Sequence, residues 1–223
     1  MIGLLLLLAF SIWRYIDTGL PHAFTTEFPS DLKVYLLGGE KVAGHQPLYA
    51  TDLLPGLPFT YPPFAGVVFS WLTESTVLGI AWKALSVLVV LLVVRASTSK
   101  HALLLTAVFV LCLSPVQGTL FFGQVNLLLM GLVCLDFLPR YRLPGIGVGL
   151  AAGLKLTPAF FVLLLIQQRR WGAVFLAAFT FLCTVATGFS EVTDAKTFWT
   201  DAIFRTTRIG ADDNPGAQSI RQV

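Results

Sequence analysis

Residues 143–166 read LPGIGVGLAAGLKLTPAFFVLLLI, two apolar runs with a single charge, Lys155, set between them. Neither run, 143–154 nor 158–166, reaches the ~20 apolar residues that a spanning helix needs. With glycines on one side and Pro158 on the other, the pair predicts a broken hairpin with Lys155 and Pro158 at its apex. Backbone that leaves the helix at membrane depth is tolerated only where protein or water covers it. The pattern therefore points to a site inside the fold.

The rest of the chain agrees with a membrane reading. Further apolar runs occupy residues 2–16, 64–72, 77–94, 102–116, 119–138 and 171–189 of the 223. Apolar residues make up 56% of the sequence and charged residues only 12%, which excludes an ordinary soluble domain. The length leaves room for about six to eight crossings and two sizeable loops. The expectation is an all-α, polytopic integral membrane protein with residues 1–223 as a single transmembrane domain. Residues 2–16 lack the basic start and small-residue cleavage site of a signal peptide, and read as a first span. The polar run 212–223 stops without a closing apolar segment, which predicts an N-terminal piece of a longer chain, truncated at its C-terminus. Cys112, Cys134 and Cys183 lie inside apolar stretches without paired spacing, and read as free core thiols.

A net charge of +3 would suggest anionic partners in a soluble protein, but the basic residues here cluster between apolar runs as topology signals. Arg95 with Lys100, Arg140 with Arg142, and Arg169 with Arg170 fit one orientation, in which these short loops stay on the cytoplasmic side. Residues 2–16 then run outward, 64–72 form a surface or re-entrant piece, 77–94 return, 102–116 go out and 119–138 come back. After the broken hairpin, 171–189 run outward. Two external segments result, about 17–61 and 190–223. The first carries His22, Glu27, Asp31, Glu40, His45 and Asp52, and is where chemistry belongs.

Several residues carry two readings each. Asp31, shortly after the first span, is either a base able to take a proton from a sugar hydroxyl or, with Ser30, a cap on the following helix. Lys155 either holds a phosphate, as intramembrane charges often serve function, or snorkels to an interface. Gln124 and Asn126, in Gly123-Gln124-Val125-Asn126, either bind sugar hydroxyls or join neighbouring helices. The prolines of Phe59-Thr60-Tyr61-Pro62-Pro63-Phe64 fit a helix start. Lone histidines are more often structural than catalytic, and Asp212-Asp213 beside Pro215 and Gly216 reads as a solvated turn. No zinc-ligand spacing, phosphate-cradling loop or dinucleotide fingerprint occurs, so neither a metal nor a nucleic acid is expected as a partner.

Taken in order, Asp31-Leu32-Lys33-Val34-Tyr35, Gly44-His45-Gln46-Pro47-Leu48-Tyr49, Phe59-Thr60-Tyr61-Pro62-Pro63-Phe64, Gly123-Gln124-Val125-Asn126 and Lys155-Leu156-Thr157-Pro158 resemble glycosyltransferase family 87. The family comprises polyprenol-phosphate-mannose-dependent α-1,2-mannosyltransferases of mycobacteria and corynebacteria with the GT-C membrane fold. The resemblance extends from Asp31 to about Gln218-Ser219-Ile220. It implies a multi-pass plasma-membrane enzyme with its active site facing the periplasm or exterior. It also implies a polyprenyl-phosphate-mannose donor, a mannosylated glycolipid or lipoglycan acceptor, and no cofactor beyond the lipid-linked substrate. In GT-C enzymes an acidic residue of the first external loop is the base, and Asp31 matches it. Lys155 would then stabilise the leaving phosphate, Gln124 and Asn126 would shape the sugar or phosphate site, and Tyr35, His45 and Tyr61 would contact substrate from the external face. The string Asn214-Pro215-Gly216-Ala217-Gln218-Ser219-Ile220 departs from the family's Asn-Gln-Ser-Leu-like run, so no role is carried to Gln218.

The competing class is a transporter or flippase of lipid-linked sugars, since broken helices around a buried cation also serve carriers. A carrier built from internal repeats would show them, and none is seen. A non-catalytic scaffold is a third reading, and an arabinose donor is compatible with the same residues.

Overall fold

The computed structural model describes residues 2–17, 27–98, 100–138 and 143–204. His22, Arg140, Arg142, Asp212, Asp213 and Gln218 lie outside the described residues. Apart from one isolated bridge between Leu54 and Leu57, the regular elements among the described residues are helical, as an all-α membrane protein requires. In chain order they are α1 (Ile2–Asp17), α2 (Ser30–Ala43), α3 (Pro63–Phe69), α4 (Thr76–Ser97), α5 (Ala102–Cys112), α6 (Ser114–Phe122), α7 (Asn126–Phe137) and α8 (Ile146–Leu154). A 3-10 turn, Thr157–Phe160, then leads into α9 (Phe161–Gln167), followed by α10 (Trp171–Glu191), α11 (Ala195–Thr200) and a 3-10 turn at Ala202–Phe204.

Two helices, α4 with 22 residues and α10 with 21, are each long and apolar enough to cross a membrane, and α5 with α6 makes a third if the bent pair is one span. Among the described residues that is fewer than six to eight: α1 is unbroken but has 16 residues, and the other apolar runs are divided into shorter helices. At a 1.5 Å rise per residue, the 12 residues of α7 reach only about 18 Å, short of the ~30 Å hydrocarbon core. The expected two spans at 102–116 and 119–138 are corrected in the same way. Helix α5 ends at Cys112, Pro115 restarts the chain as α6 with a 76° bend, and α6 runs through the expected turn at 117–118 to Phe122. Pro63 opens α3 as expected from its fixed φ and missing N–H. The expected break also forms, with α8 ending at Leu154 and the 3-10 turn beginning at Thr157.

The chain divides into two compact units, Met1–Lys33 with Thr73–Leu182, and Val34–Leu72 with Cys183–Val223. In the first unit α1 packs on α5, α4 on α5 and α7, and α7 on α8. Val90, Val94, Ala102, Val110, Leu120 and Leu127 form its buried cluster. Lipid tails are as apolar as leucine, so helices in a membrane are held by close backbone approach more than by exclusion of water. Gly147 of α8 shows this: a Cβ there would strike the Leu132 carbonyl oxygen of α7.

Asp136, fully buried at the end of α7, accepts hydrogen bonds from Gly145 N at 3.0 Å on Oδ1 and from Val148 N at 2.7 Å on Oδ2. Gly145 N also reaches the Leu143 carbonyl at 2.9 Å, whereas Val148 N is one of the orphan donors in the first turn of α8, and such a donor costs several kcal/mol if left unpaired in hydrocarbon. Arg170 clamps the same corner, its Nη1 donating to the Asp136 carbonyl at 2.8 Å and its Nη2 to the Leu143 carbonyl at 3.3 Å. The three cysteines are free thiols, but Cys183 is exposed on the protein surface and Cys112 and Cys134 are only partly buried, so they are not the core residues expected.

The second unit is built on an aromatic cluster. Tyr35, 1% exposed, shares a 2.8 Å hydrogen bond with the Tyr61 hydroxyl, and the Tyr49 hydroxyl donates to the Tyr61 carbonyl at 2.7 Å. Phe59 and Phe198 pack on Tyr49. Asp194 accepts from Leu48 N and Tyr49 N, both at 2.8 Å, and so ties the loop after α2 to the start of α11.

Candidate active site

Four of the sequence-predicted residues meet at three places where helices start or stop. Asp31 stands in the first turn of α2, whose first turn is closed by the Lys33 N–H bonding to the Pro29 carbonyl at 3.0 Å. The helix thus begins at Ser30, and Asp31 does not cap it. Gln124 lies between α6 and α7, and Asn126 is the first residue of α7. Lys155 is the extended residue that closes α8 before Pro158 restarts the chain.

Gly123 creates the middle break. It ends α6 in the left-handed region at φ 68°, where side chains with a Cβ are strained. It also makes room, because a Cβ on Gly123 would sit 2.5 Å from Pro29 Cβ and 3.0 Å from Leu32 Cβ. The absence of a side chain lets the start of α2 lie against the α6–α7 break, which brings Asp31 to Gln124 across 93 positions of sequence. Gly123→Ala is therefore expected to lose about 1–3 kcal/mol of stability through strain and overlap. Thermal unfolding in detergent reads this, and an unchanged transition would remove Gly123 from the explanation.

The side chains form one continuous chain of hydrogen bonds. Lys155 Nζ donates to Asn126 Oδ1 at 2.9 Å, Asn126 Nδ2 donates to Gln124 Oε1 at 2.8 Å, and Gln124 Nε2 donates to Asp31 Oδ2 at 2.9 Å. Chemistry fixes the direction. An ammonium only donates and a carboxylate only accepts, so both amides must turn their oxygens toward Lys155 and their NH2 groups toward Asp31. The other carboxylate oxygen, Oδ1, has a longer approach from the Ser30 hydroxyl at 3.5 Å. All four residues are partly buried, so the chain is both shielded and reachable.

Burial pushes the Asp31 carboxyl up from its ordinary 3.8, while the hydrogen bonds from Gln124 and Ser30 and the Lys155 charge pull it down less strongly. A more basic carboxylate beside a fixed cation suits proton removal at one end and anion stabilisation at the other. Among the described residues no three His, Cys, Asp or Glu side chains group as a metal site would.

The remaining predicted contacts, Tyr35, Tyr61 and His45, belong to the second unit. Tyr35 and Tyr61 spend their hydroxyls on each other, and His45 is exposed with φ 51° just beyond the end of α2. Sequence reasoning passed over Asp136, whose signal was available: it is the lone charged residue of a helix that is apolar from Leu127 onward, where a charge demands a partner.

The model of glycosyltransferase family 87 matches residues 59–223, which takes in Gln124, Asn126 and Lys155 and begins after Asp31. Curated relatives extend the likeness. The polyprenol-phosphate-mannose-dependent α-(1-2)-phosphatidylinositol pentamannoside mannosyltransferase of Mycolicibacterium smegmatis is 34% identical over 207 residues, covering 86% of this chain and 50% of its own. Its namesake in Mycobacterium tuberculosis is 33% identical over 210 residues, covering 86% and 48%. A Mycobacterium tuberculosis polyprenol-phosphate-mannose-dependent α-(1-2)-phosphatidylinositol mannoside mannosyltransferase is 33% identical over 218 residues, covering 83% and 51%. The chain thus spans about half the length of the curated relatives it matches. No solved structure matches it.

Proposed function

Because this chain belongs to glycosyltransferase family 87, we propose that it carries the base and the cation of an inverting mannosyltransferase site. The donor is polyprenyl-phosphate-mannose, the acceptor a mannose hydroxyl on a phosphatidylinositol mannoside or a related lipoglycan, and the product linkage α-1,2. The activities named for the relatives support donor, linkage and acceptor class. The observation that carries the reading is the unbroken hydrogen-bond chain from Lys155 to Asp31.

In this mechanism Asp31 takes the proton of the acceptor hydroxyl on Oδ1, the oxygen not held by Gln124. The acceptor oxygen bonds to the anomeric carbon from the face opposite the phosphate, the bond from that carbon to the phosphate oxygen breaks, and the configuration inverts. Polyprenyl phosphate departs with the bonding electron pair. The phosphate thereby goes from a singly charged diester to a doubly charged monoester, while Asp31 becomes neutral. Lys155 is the cation that meets the growing charge. Tyr35, Tyr61 and His45 belong to the second unit, and no part in this step is assigned to them.

The protein sits in the plasma membrane with this site toward the exterior. Arg95 with Lys100, and Arg169 with Arg170, support that orientation as short-loop basic pairs of the kind held on the cytoplasmic side.

The test is transfer of labelled mannose from polyprenyl-phosphate-mannose to phosphatidylinositol mannosides by membranes carrying the full-length gene, run as a pH series. Asp31 must be ionised to accept a proton, so the rate falls as pH drops through its raised pKa. The acid limb is expected above 3.8, the ordinary carboxyl value. A limb at or below that value would contradict a burial-raised base. Movement of the lipid-linked sugar across the membrane without transfer would favour the carrier reading.

A further inference from the structure

We propose that Gln124 and Asn126 are positioning residues whose two amides form a one-way relay, sharing the Lys155 charge between Asp31 before transfer and the leaving phosphate after it. This rests on the mannosyl-transfer reading above and says how its two ends are coupled.

The first argument is geometric. Residues two apart on a helix point to nearly opposite sides and do not meet. Gln124 and Asn126 meet at 2.8 Å because Gln124 lies outside α7, beyond the stop made by Gly123. The break therefore serves an amide-to-amide bond that a continuous helix forbids. Both carbonyl oxygens are then committed inside the chain, one to Lys155 and one to Asn126.

The second argument is charge balance. During transfer one negative charge disappears from Asp31 and one appears on the phosphate. A direct Asp31–Lys155 ion pair would weaken the base and hold the cation away from the leaving group. Two intervening amides keep the charges apart yet coupled, since each dipole stabilises a positive end at Lys155 and a negative end at Asp31. When Asp31 is protonated, Gln124 loses its charge-assisted acceptor, the dipoles relax, and Lys155 turns fully to the phosphate. The same relay aims Asp31 by fixing Oδ2 and leaving Oδ1 toward the acceptor.

Ligand residues and relay residues differ in measurable ways. The experiment compares Gln124→Met, Asn126→Leu and the double variant in the full-length protein, in membranes, with polyprenyl-phosphate-mannose and phosphatidylinositol mannoside as substrates. Each single variant is expected to lower kcat by about tenfold or more with KM for donor and acceptor within about twofold, because the lost effect is exerted through other residues. The double variant is expected to match the worse single one, since either cut interrupts the same chain.

Gln124→Glu and Asn126→Asp provide a near-isosteric second set. They keep shape and level, but each lacks the NH2 that donates onward, so the same non-additive loss of kcat is expected. Losses that multiply in the double variants, or that appear mainly in KM, would make the amides independent substrate ligands and overturn the relay, with mannosyl transfer left standing. An active wild type is the premise of that contrast. Wild-type membranes that transfer no mannose would overturn the mannosyl-transfer reading itself, and the relay with it.

Discussion

Asp31→Asn is expected to reduce mannosyl transfer by about 10²- to 10⁴-fold, the usual contribution of a positioned general base. The substitution isolates the base because it preserves nearly everything else. An asparagine oxygen can accept the Gln124 Nε2 hydrogen that Asp31 Oδ2 accepts at 2.9 Å, so the chain of amides survives. The first turn of α2 loses no cap, since the helix is closed by the Pro29 carbonyl and not by the Asp31 side chain. What disappears is the carboxylate that takes the proton. Protein level and unfolding temperature should therefore match wild type while labelled product falls close to background. Equal rates in the two proteins would exclude Asp31 as the base, and the carboxylate would have to come from elsewhere in the full-length enzyme.

The parts of this arrangement that sequence reading recovers are those that composition records. The apolar runs identify helices α1, α4 and α10, and the proline after Lys155 marks the break after α8, because a missing N–H and a fixed φ act at the position where they occur. The bend at Pro115 and the stop at Gly123 are missed for the opposite reason. Hydropathy sums side-chain character, and glycine or proline within a leucine-rich stretch barely changes the sum, while each decides where the backbone turns. The expected turn at 117–118 falls inside α6 as a result.

The site is divided in the same way. Asp31, Gln124, Asn126 and Lys155 can each be singled out as polar residues in places where polarity is costly. Their assembly cannot, because it depends on a tertiary approach of Pro29 and Leu32 to Gly123 that no local pattern encodes. Asp136 shows the converse error. A buried carboxylate invites a functional reading, yet its two oxygens are consumed by Gly145 N and Val148 N, so it serves the start of α8. The partners of a charge, more than its burial, separate chemistry from architecture.

Lys155→Met is expected to lower kcat by about 10²- to 10³-fold, comparable to removing a donor from a preorganised anion site. Methionine fills similar space and is compatible with apolar surroundings, so the loss reports charge more than packing. The argument turns on when the charge is needed. The bound donor carries one negative charge on its phosphate and the departing product two, so a cation nearby favours the transition state over the ground state and its removal falls on kcat more than on KM. Lys155→Arg separates charge from geometry. Arginine keeps the positive charge but replaces a compact ammonium by a planar fork. That fork does not reproduce the 2.9 Å bond to Asn126 Oδ1, so only partial recovery is expected. A methionine variant with raised KM and unchanged kcat would make Lys155 a donor-binding residue with no role in the departure of the phosphate. A variant with wild-type kinetics would reduce it to a lysine that merely closes the end of α8.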